Sequence, residues 1–153
     1  MVASRAKRLR EEERWRKHQS RWPATNGGVV LNHDRWRTLE LTWLASTSQM
    51  SDEGFKETLE LFAAEGERLR PACMIIDATQ FQHELGDGVL EWRDREIIPR
   101  YNSAGVKKFA FLWPEGMPGT VESGSTPSPE GSAAFPTGWF TGRERAYQWL
   151  AEE

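Results

Sequence analysis

The stretch Pro71-Ala-Cys-Met-Ile-Ile-Asp77 decides the fold, because it is a short apolar run bounded by a helix breaker and a carboxylate. An apolar run this short, without polar alternation, is typical of a strand that is covered on both faces. A second strand is predicted at Val106 to Trp113, where aromatic residues fall on every second position. We expect Ile75 and Phe111 to be buried in the sheet that these strands form.

Helices are predicted on either side of the first strand. One begins at Ser51, whose side chain can cap it, and ends before Pro71. The next is predicted from Asp87 to Asn102, with a kink at Pro99 because proline removes a helical hydrogen bond. A last helix follows Thr141 and carries an apolar side.

The remaining strands complete a recognisable order. Val29 to Asn32 and Trp36 to Ala45 form an opening hairpin, and Gly138 to Phe140 form a short closing strand. In the second hairpin strand, Glu40 falls on the polar face of an alternating pattern, which predicts a half-buried strand. Strands separated by helices require right-handed crossovers. The predicted fold is therefore α/β, a mostly parallel sheet with an antiparallel N-terminal edge hairpin and helices packed on it.

Length and composition set the class of protein. At 153 residues the chain can bury one sizeable core, so residues 23–153 are expected to form one domain. Apolar residues make up 38% and charged residues 28%, which excludes both a disordered chain and a membrane-embedded one. No span long enough for a membrane helix and no signal peptide are predicted. We expect a cytoplasmic protein without cofactor, and the lone Cys73 argues against a metal cluster.

Two segments stand apart in composition. Residues 1–22 carry eight Lys/Arg against three Glu and are predicted to form a basic helix or arm. An ion-paired solvated helix, a partner-protein contact and a nucleic-acid or lipid contact all fit this arm, but the acidic body makes nucleic acid an unfavourable partner. In residues 114–136, 15 of 23 residues are Gly, Pro, Ser or Thr, which predicts a flexible loop.

Several motifs, in this order, resemble bacterial proteins of the SpoIIAA-like (STAS/SEC14) class. They are Met74-Ile-Ile-Asp77, the helix ending Ile98-Pro-Arg-Tyr-Asn-Ser-Ala-Gly105, the strand start Val106-Lys-Lys-Phe-Ala-Phe111, and the closing run from Trp139 to Leu150. The resemblance covers about residues 28 to 151. It implies a small α/β domain with helices on one side of the sheet and, in most members, no catalytic activity. The phosphorylatable Ser of the anti-sigma-factor antagonists is missing after Asp77, so a phospho-switch is not expected.

Candidate site residues gather where the strands are predicted to end. Asp77 lies at the carboxyl end of a buried strand, the place where α/β sheets leave a crevice, and His83 follows in the next loop. Aromatic residues of neighbouring segments could line an apolar pocket there. The candidate ligand-binding residues are Asp77, Phe81, His83, Trp113, Phe135 and Trp139. No residue is assigned as catalytic or as a metal ligand.

These features favour a non-catalytic binding module that contacts a partner protein or a small apolar molecule. A carrier of lipid or of a hydrophobic metabolite is the alternative, by analogy with the SEC14 side of the class. A small enzyme that uses Asp77 and His83 as an acid–base pair is a further one. The simpler interpretations, without a functional role, are that Asp77 caps the following turn and that His83 is a solvated loop residue.

Overall fold

A computed structural model describes residues 19–21, 27–33, 36–114 and 132–152. Six strands lie side by side in one sheet, in the order in which they occur in the chain. The β1–β2 and β2–β3 pairs are antiparallel, and the pairs from β3 to β6 are parallel. The strands are β1 (Gln19–Arg21), β2 (Gly28–His33), β3 (Thr38–Trp43), β4 (Cys73–Asp77), β5 (Lys108–Leu112) and β6 (Thr137–Phe140). The predicted α/β class, the mostly parallel sheet and the antiparallel N-terminal strands are confirmed.

Helices connect the parallel strands. Helix α1 (Asp52–Leu69) follows a short 3-10 turn at Ala45–Gln49. Helix α2 is continuous but changes pitch, and its parts are Val89–Trp92, a π turn at Arg93–Ile97 and Ile98–Ala104. Helix α3 (Arg143–Ala151) closes the domain.

Local chemistry explains where α1 begins and ends. The side chain of Ser51 accepts a hydrogen bond from the Gly54 amide, as predicted, and two acidic residues occupy the first turn. Arg70 takes the left-handed conformation, with φ 50°, directly before Pro71. Within α1, a Cβ on Gly66 would lie 2.3 Å from the Cε of Met74, so this glycine allows the helix to approach β4 closely.

The pitch change in α2 has its cause at Pro99. Proline lacks an amide hydrogen, and its ring presses against the carbonyl four residues earlier in a regular helix. The π turn lies directly before this proline, and its extra residue lets Ile98 N–H donate to the carbonyl of Arg93. Gly105 then ends the helix with φ 85°, a conformation that glycine adopts without strain.

The two faces of the sheet carry separate cores. Helices α1 and α2 cover one face, and α3 covers the other, where Ile75, Ala110 and Phe140 are buried with Ala146. The expectation of helices on one side is therefore wrong. The apolar run of β4 explains the difference, because every second residue on it faces away from α1 and would be exposed without α3. Each large side chain buried in this way contributes about 1.5–3 kcal/mol.

Two predicted segments are described only in part. Within the predicted basic helix or arm, β1 forms a strand, and residues 1–18 and 22 lie outside the described residues. Within the predicted flexible loop, residues 115–131 lie outside them, but the end of the loop is fixed to α2. Asn102 donates to the Ser132 carbonyl at 2.9 Å and accepts from the Ala134 amide at 2.8 Å.

Candidate functional site

A cavity of about 340 Å³ lies between the sheet and helices α1 and α2, beside the carboxyl ends of β3, β4 and β5. Most of its lining is apolar, and aromatic rings form two opposite groups of side chains. The strand wall consists of the rings carried by β5, β6 and the segment before β6. The helix wall consists of the rings carried by β3, α1 and the loop after β4.

The strand wall is a continuous array of rings. Its members are Phe109, Phe111, Trp113, Phe135 and Trp139. The Phe111 and Trp139 rings stack with centroids 4.3 Å apart, and Trp113 stacks on Trp139 at 5.3 Å. Phe135 stacks on Phe109 at 5.8 Å. Phe111, expected to be buried, is only half-buried because its side chain lines this cavity, whereas Ile75 is fully buried as predicted.

The helix wall is made by Trp43, Phe55 and Phe81. Trp43 and Phe55 stack at 5.3 Å with their planes 9° apart, and Phe81 tilts against both rings. Phe81 belongs to the loop between β4 and α2, which packs on the core through Phe81 and Leu85. Its position therefore depends on how that loop is fastened.

Polar contacts fasten the loop to the beginning of α1. The Gln82 amide donates to the hydroxyl of Thr47 at 2.9 Å. His83 Nε2 lies 2.7 Å from Asp52 Oδ1, and the Gly86 amide donates to the same oxygen at 3.2 Å. The hydrogen bond with His83 is the main cause that lowers the pKa of Asp52. His83 is thus a fastening residue of the helix wall.

At the carboxyl ends of β3, β4 and β5, a small residue lies between a ring of the helix wall and a ring of the strand wall. Thr42 pairs with Asp77 and Asp77 with Leu112, so one residue further on Ala78 lies between Trp43 and Trp113. The Ala78 amide donates to the Leu112 carbonyl and keeps this register. A single methyl group between two indoles leaves a slot.

Three polar side chains interrupt the apolar lining. Arg93, Tyr101 and Thr137 line the cavity, and Arg93 is the one charged residue among the described lining residues. Arg93 donates to the adjacent Asp94 through Nε and one terminal nitrogen. Burial raises the pKa of the Tyr101 hydroxyl, so this group keeps its proton and remains a hydrogen-bond donor.

The structure brings together four of the six sequence-predicted site residues. Phe81, Trp113, Phe135 and Trp139 all line the cavity. Asp77 and His83 do not line it, and they do not meet each other. His83 contacts Asp52 beside α1, whereas Asp77 accepts a hydrogen bond from Arg143 of α3 at 2.7 Å, on the opposite face of the sheet.

Arg143 and Asp77 belong to a buried polar cluster beneath α3 that the sequence pattern does not predict. At its centre, Glu40 is 1% exposed, although its place in the alternating pattern of β3 predicts a polar surface. It is buried because α3 lies over it. The cluster consists of His33, Glu40, Thr42, Asp77, Arg143 and Tyr147.

Glu40 accepts hydrogen bonds at both carboxylate oxygens. Arg143 donates to Oε1 at 2.8 Å and to Oε2 at 3.2 Å, Tyr147 to Oε1 at 2.6 Å, and Thr42 to Oε2 at 2.6 Å. His33 Nε2 lies 3.1 Å from Oε1 and must carry a hydrogen, because an ionised carboxylate only accepts. Burial alone would raise the pKa of Glu40, but these hydrogen bonds and the charge of Arg143 lower it well below its usual range.

The cluster is a structural unit that links three elements. The Arg143 guanidinium is the link, since it also binds Asp77, whose other oxygen accepts from the amide and hydroxyl of Thr79. Asp77 therefore caps the turn that follows β4, which is the simpler of the two interpretations of this residue. Because strong donors already occupy the carboxylate oxygens, the cluster joins α3 to β3 and β4.

The described residues contain neither a metal-binding cluster nor a membrane-spanning helix. Across the described parts of the chain, no three His, Cys, Asp or Glu side chains are grouped to hold a metal ion. None of the described helices is long and apolar enough to cross a bilayer. No family model matches the chain, and comparisons with curated proteins and with solved structures give no significant match.

Proposed function

We propose that the protein is a non-catalytic, STAS-like binding module that takes up a small apolar molecule between the strand wall and the helix wall. The observation that carries the proposal is the aromatic cavity of about 340 Å³ at the strand ends. Crevices at the carboxyl ends of parallel strands are where α/β sheets bind ligands. The STAS-like assignment is supported by the ordered sequence motifs alone.

The free energy of an empty cavity supports an occupant. Protein interiors are close-packed, and lost packing costs about 24 cal/mol per Å³ of void in an enclosed core. The cavity of 340 Å³ is partly open, so water can enter it and its cost is smaller than that rule gives. Its lining is nevertheless mostly apolar, and covering that lining with an apolar molecule is favourable.

The alternatives have less support. A cavity of about 150 Å³ holds one benzene ring, so this one suits a molecule of about 14 non-hydrogen atoms rather than a two-chain lipid. An acid–base enzyme has no geometric support, because Asp77 and His83 bind different partners on opposite faces of the sheet. A partner protein remains the second candidate, since Leu90 lines the cavity and is 49% exposed, as a docking surface requires.

Titration calorimetry with naphthalene and indole tests the proposal. Saturable binding with a Kd of about 10–100 μM is expected, because an apolar ligand of this size gains roughly 5–7 kcal/mol after the entropy cost of association. In the variant Ala78→Leu the larger side chain occupies the slot, so binding should be lost while the thermal midpoint holds or rises. Ala64→Leu, which adds the same side chain on the exposed side of α1, is the matched control.

Two outcomes would contradict the proposal. If wild type gives no saturable heat with either probe, and mass spectrometry of freshly purified protein finds no small molecule, the cavity has no such ligand. If Ala78→Leu binds the probes as tightly as Ala64→Leu, they bind elsewhere. Either result leaves the partner-protein candidate.

A further inference from the structure

Tyr101 is a buried tyrosine whose hydroxyl lacks a hydrogen-bond partner among the described residues. The side chain lines the cavity, is 3% exposed, and packs its ring against Phe62 and Phe109. A hydroxyl that makes no hydrogen bond within the protein is satisfied by water or by a bound molecule, because a polar group without any partner costs about 1–3 kcal/mol. An unpaired donor at the wall of a cavity is therefore expected to serve an occupant of that cavity.

Arg93 places a positive charge in the lining of the cavity to which Tyr101 also belongs. It lies on α2, two turns before Tyr101, and its charge acts on the Tyr101 hydroxyl. Nε and Nη2 of Arg93 donate to Asp94, whereas Nη1 makes no hydrogen bond to a described residue. Arg93 also opens the π turn of α2, and such turns occur frequently at functional sites.

Thr137 adds a second hydroxyl to this end of the cavity. It is 5% exposed and pairs in the sheet with Phe109, whose ring contacts Tyr101. Its side chain also makes no hydrogen bond to a described residue. Two hydroxyls and one guanidinium nitrogen thus remain as donors in a lining that is otherwise apolar.

We propose that the ligand is a small flat aromatic anion, of two fused rings and one carboxylate, held by the Tyr101 hydroxyl and the Arg93 guanidinium. The rings lie in the slot between Trp43 and Trp113 above Ala78, where offset stacking on indoles is favourable. A carboxylate accepts from several donors at once, and charge-assisted bonds to it are stronger than neutral ones. This inference rests on the proposed function and narrows it to one ligand class.

A matched probe series separates this inference from the proposed function. The probes are 2-naphthoate, the neutral isostere 2-naphthamide and naphthalene, measured by titration calorimetry at pH 7.5. Naphthoate should bind about tenfold more tightly than naphthamide, because a hydrogen bond to a charged group exceeds one to a neutral group by about 1.4 kcal/mol or more. If no probe binds, the proposed function fails. If naphthalene binds and naphthoate gains nothing over naphthamide, the proposed function stands and the anion is wrong.

Two variants test the residues assigned to the carboxylate. Tyr101→Phe removes only the hydroxyl and should weaken naphthoate about tenfold while leaving naphthalene unchanged. Arg93→Gln should remove the preference for naphthoate over naphthamide. Arg95→Gln, an exposed position on the same helix, is the control for a lost charge and should keep the preference. Equal loss with Arg95→Gln, or an unchanged preference in both Tyr101→Phe and Arg93→Gln, would overturn the assignment.

Discussion

Each face of the sheet carries a buried or partly buried tyrosine, and the two tyrosines differ in their hydrogen bonds. Tyr101, on the α2 side, is a buried residue whose hydroxyl makes no hydrogen bond to any described residue, whereas the Tyr147 hydroxyl of α3 donates to Glu40 and accepts from Arg143. On the α3 face the tyrosine hydroxyl is held between a carboxylate and a guanidinium, whereas the hydroxyl at the cavity is held by no described side chain. The difference supports a structural role for the α3 face and agrees with the proposed ligand on the opposite face.

The two regions also differ in how they bury area. Beneath α3 the apolar core is small, and the polar cluster fills the rest of the interface. On the other face, large rings stand in two groups with a void between them. The hydrogen bonds of Glu40 fix one arrangement of α3, whereas the void between the rings leaves room for an occupant.

The largest effect is expected from breaking the buried ion pair. Arg143→Met removes the cation from Glu40, which is 1% exposed, and should lower the free energy of unfolding by about 3 kcal/mol in urea denaturation. Arg143 is itself 45% exposed, so the loss should fall at the lower end of the range for buried pairs. The exposed Arg145→Met on the same helix should change stability by less than about 0.5 kcal/mol.

The Arg143→Met variant also tests whether the two faces of the sheet are independent. If the faces are independent, folded Arg143→Met should bind naphthalene as wild type does, because no residue of the polar cluster lines the cavity. A large change in Kd at full folding would show that the α3 face acts on the ligand site. Stability equal to that of Arg145→Met would show that the cluster is not the fastening of α3.

A smaller effect is expected from acid. The folded-state pKa of Glu40 is depressed, so its contribution to stability is complete above the ordinary value of 4.5 and is lost as pH falls below it. One proton taken up on unfolding changes stability by about 1.4 kcal/mol per pH unit, which gives roughly 1–2 kcal/mol between pH 5 and pH 3. The stability difference between wild type and Glu40→Gln should therefore shrink by this amount over that range in urea titrations. A difference independent of pH would mean that the fold does not shift the pKa of Glu40, and a difference that grows in acid would mean that Glu40 is protonated in the fold.

Much of the fold could be predicted because the local signals agree with it. The run of β4, the cap at Ser51 and the helix end at Gly105 each depend on a few neighbouring residues. The strand β1 and the placement of α3 could not be predicted in this way. Both depend on contacts between distant segments, and a three-residue edge strand carries almost no pattern of its own.

The candidate site shows the same division. Aromatic residues at strand ends were sufficient to place Phe81, Trp113, Phe135 and Trp139 at one cavity. The end of β4 predicts Asp77 at the same cavity, but side chains alternate along a strand and Asp77 faces α3. Alternation counted from Ile76, which lines the cavity, places Asp77 on the α3 face. Tyr101 carried no sequence signal, since a tyrosine on an apolar helix face usually indicates core.

The smallest and most specific effect is expected from removing single hydroxyls. Tyr147→Phe deletes a donor to Glu40 and should lower the free energy of unfolding by about 1–2 kcal/mol, the usual loss for a hydrogen bond to a charged group. Tyr101→Phe deletes a hydroxyl without a bond to a described residue and should leave ligand-free stability unchanged or raise it by up to about 1 kcal/mol. Both variants remove one oxygen from the same side chain, so they control for each other in urea denaturation.

The pair also separates ligand-free from ligand-bound protein. With 2-naphthoate present, Tyr101→Phe should become the less stable of wild type and variant, because the ligand stabilises only the folded state that binds it and binds this variant more weakly. Tyr147→Phe should gain as much from the ligand as wild type does. If Tyr101→Phe is destabilised without ligand by as much as Tyr147→Phe, its hydroxyl already has a partner in the free protein. The contrast between the two faces would then be lost.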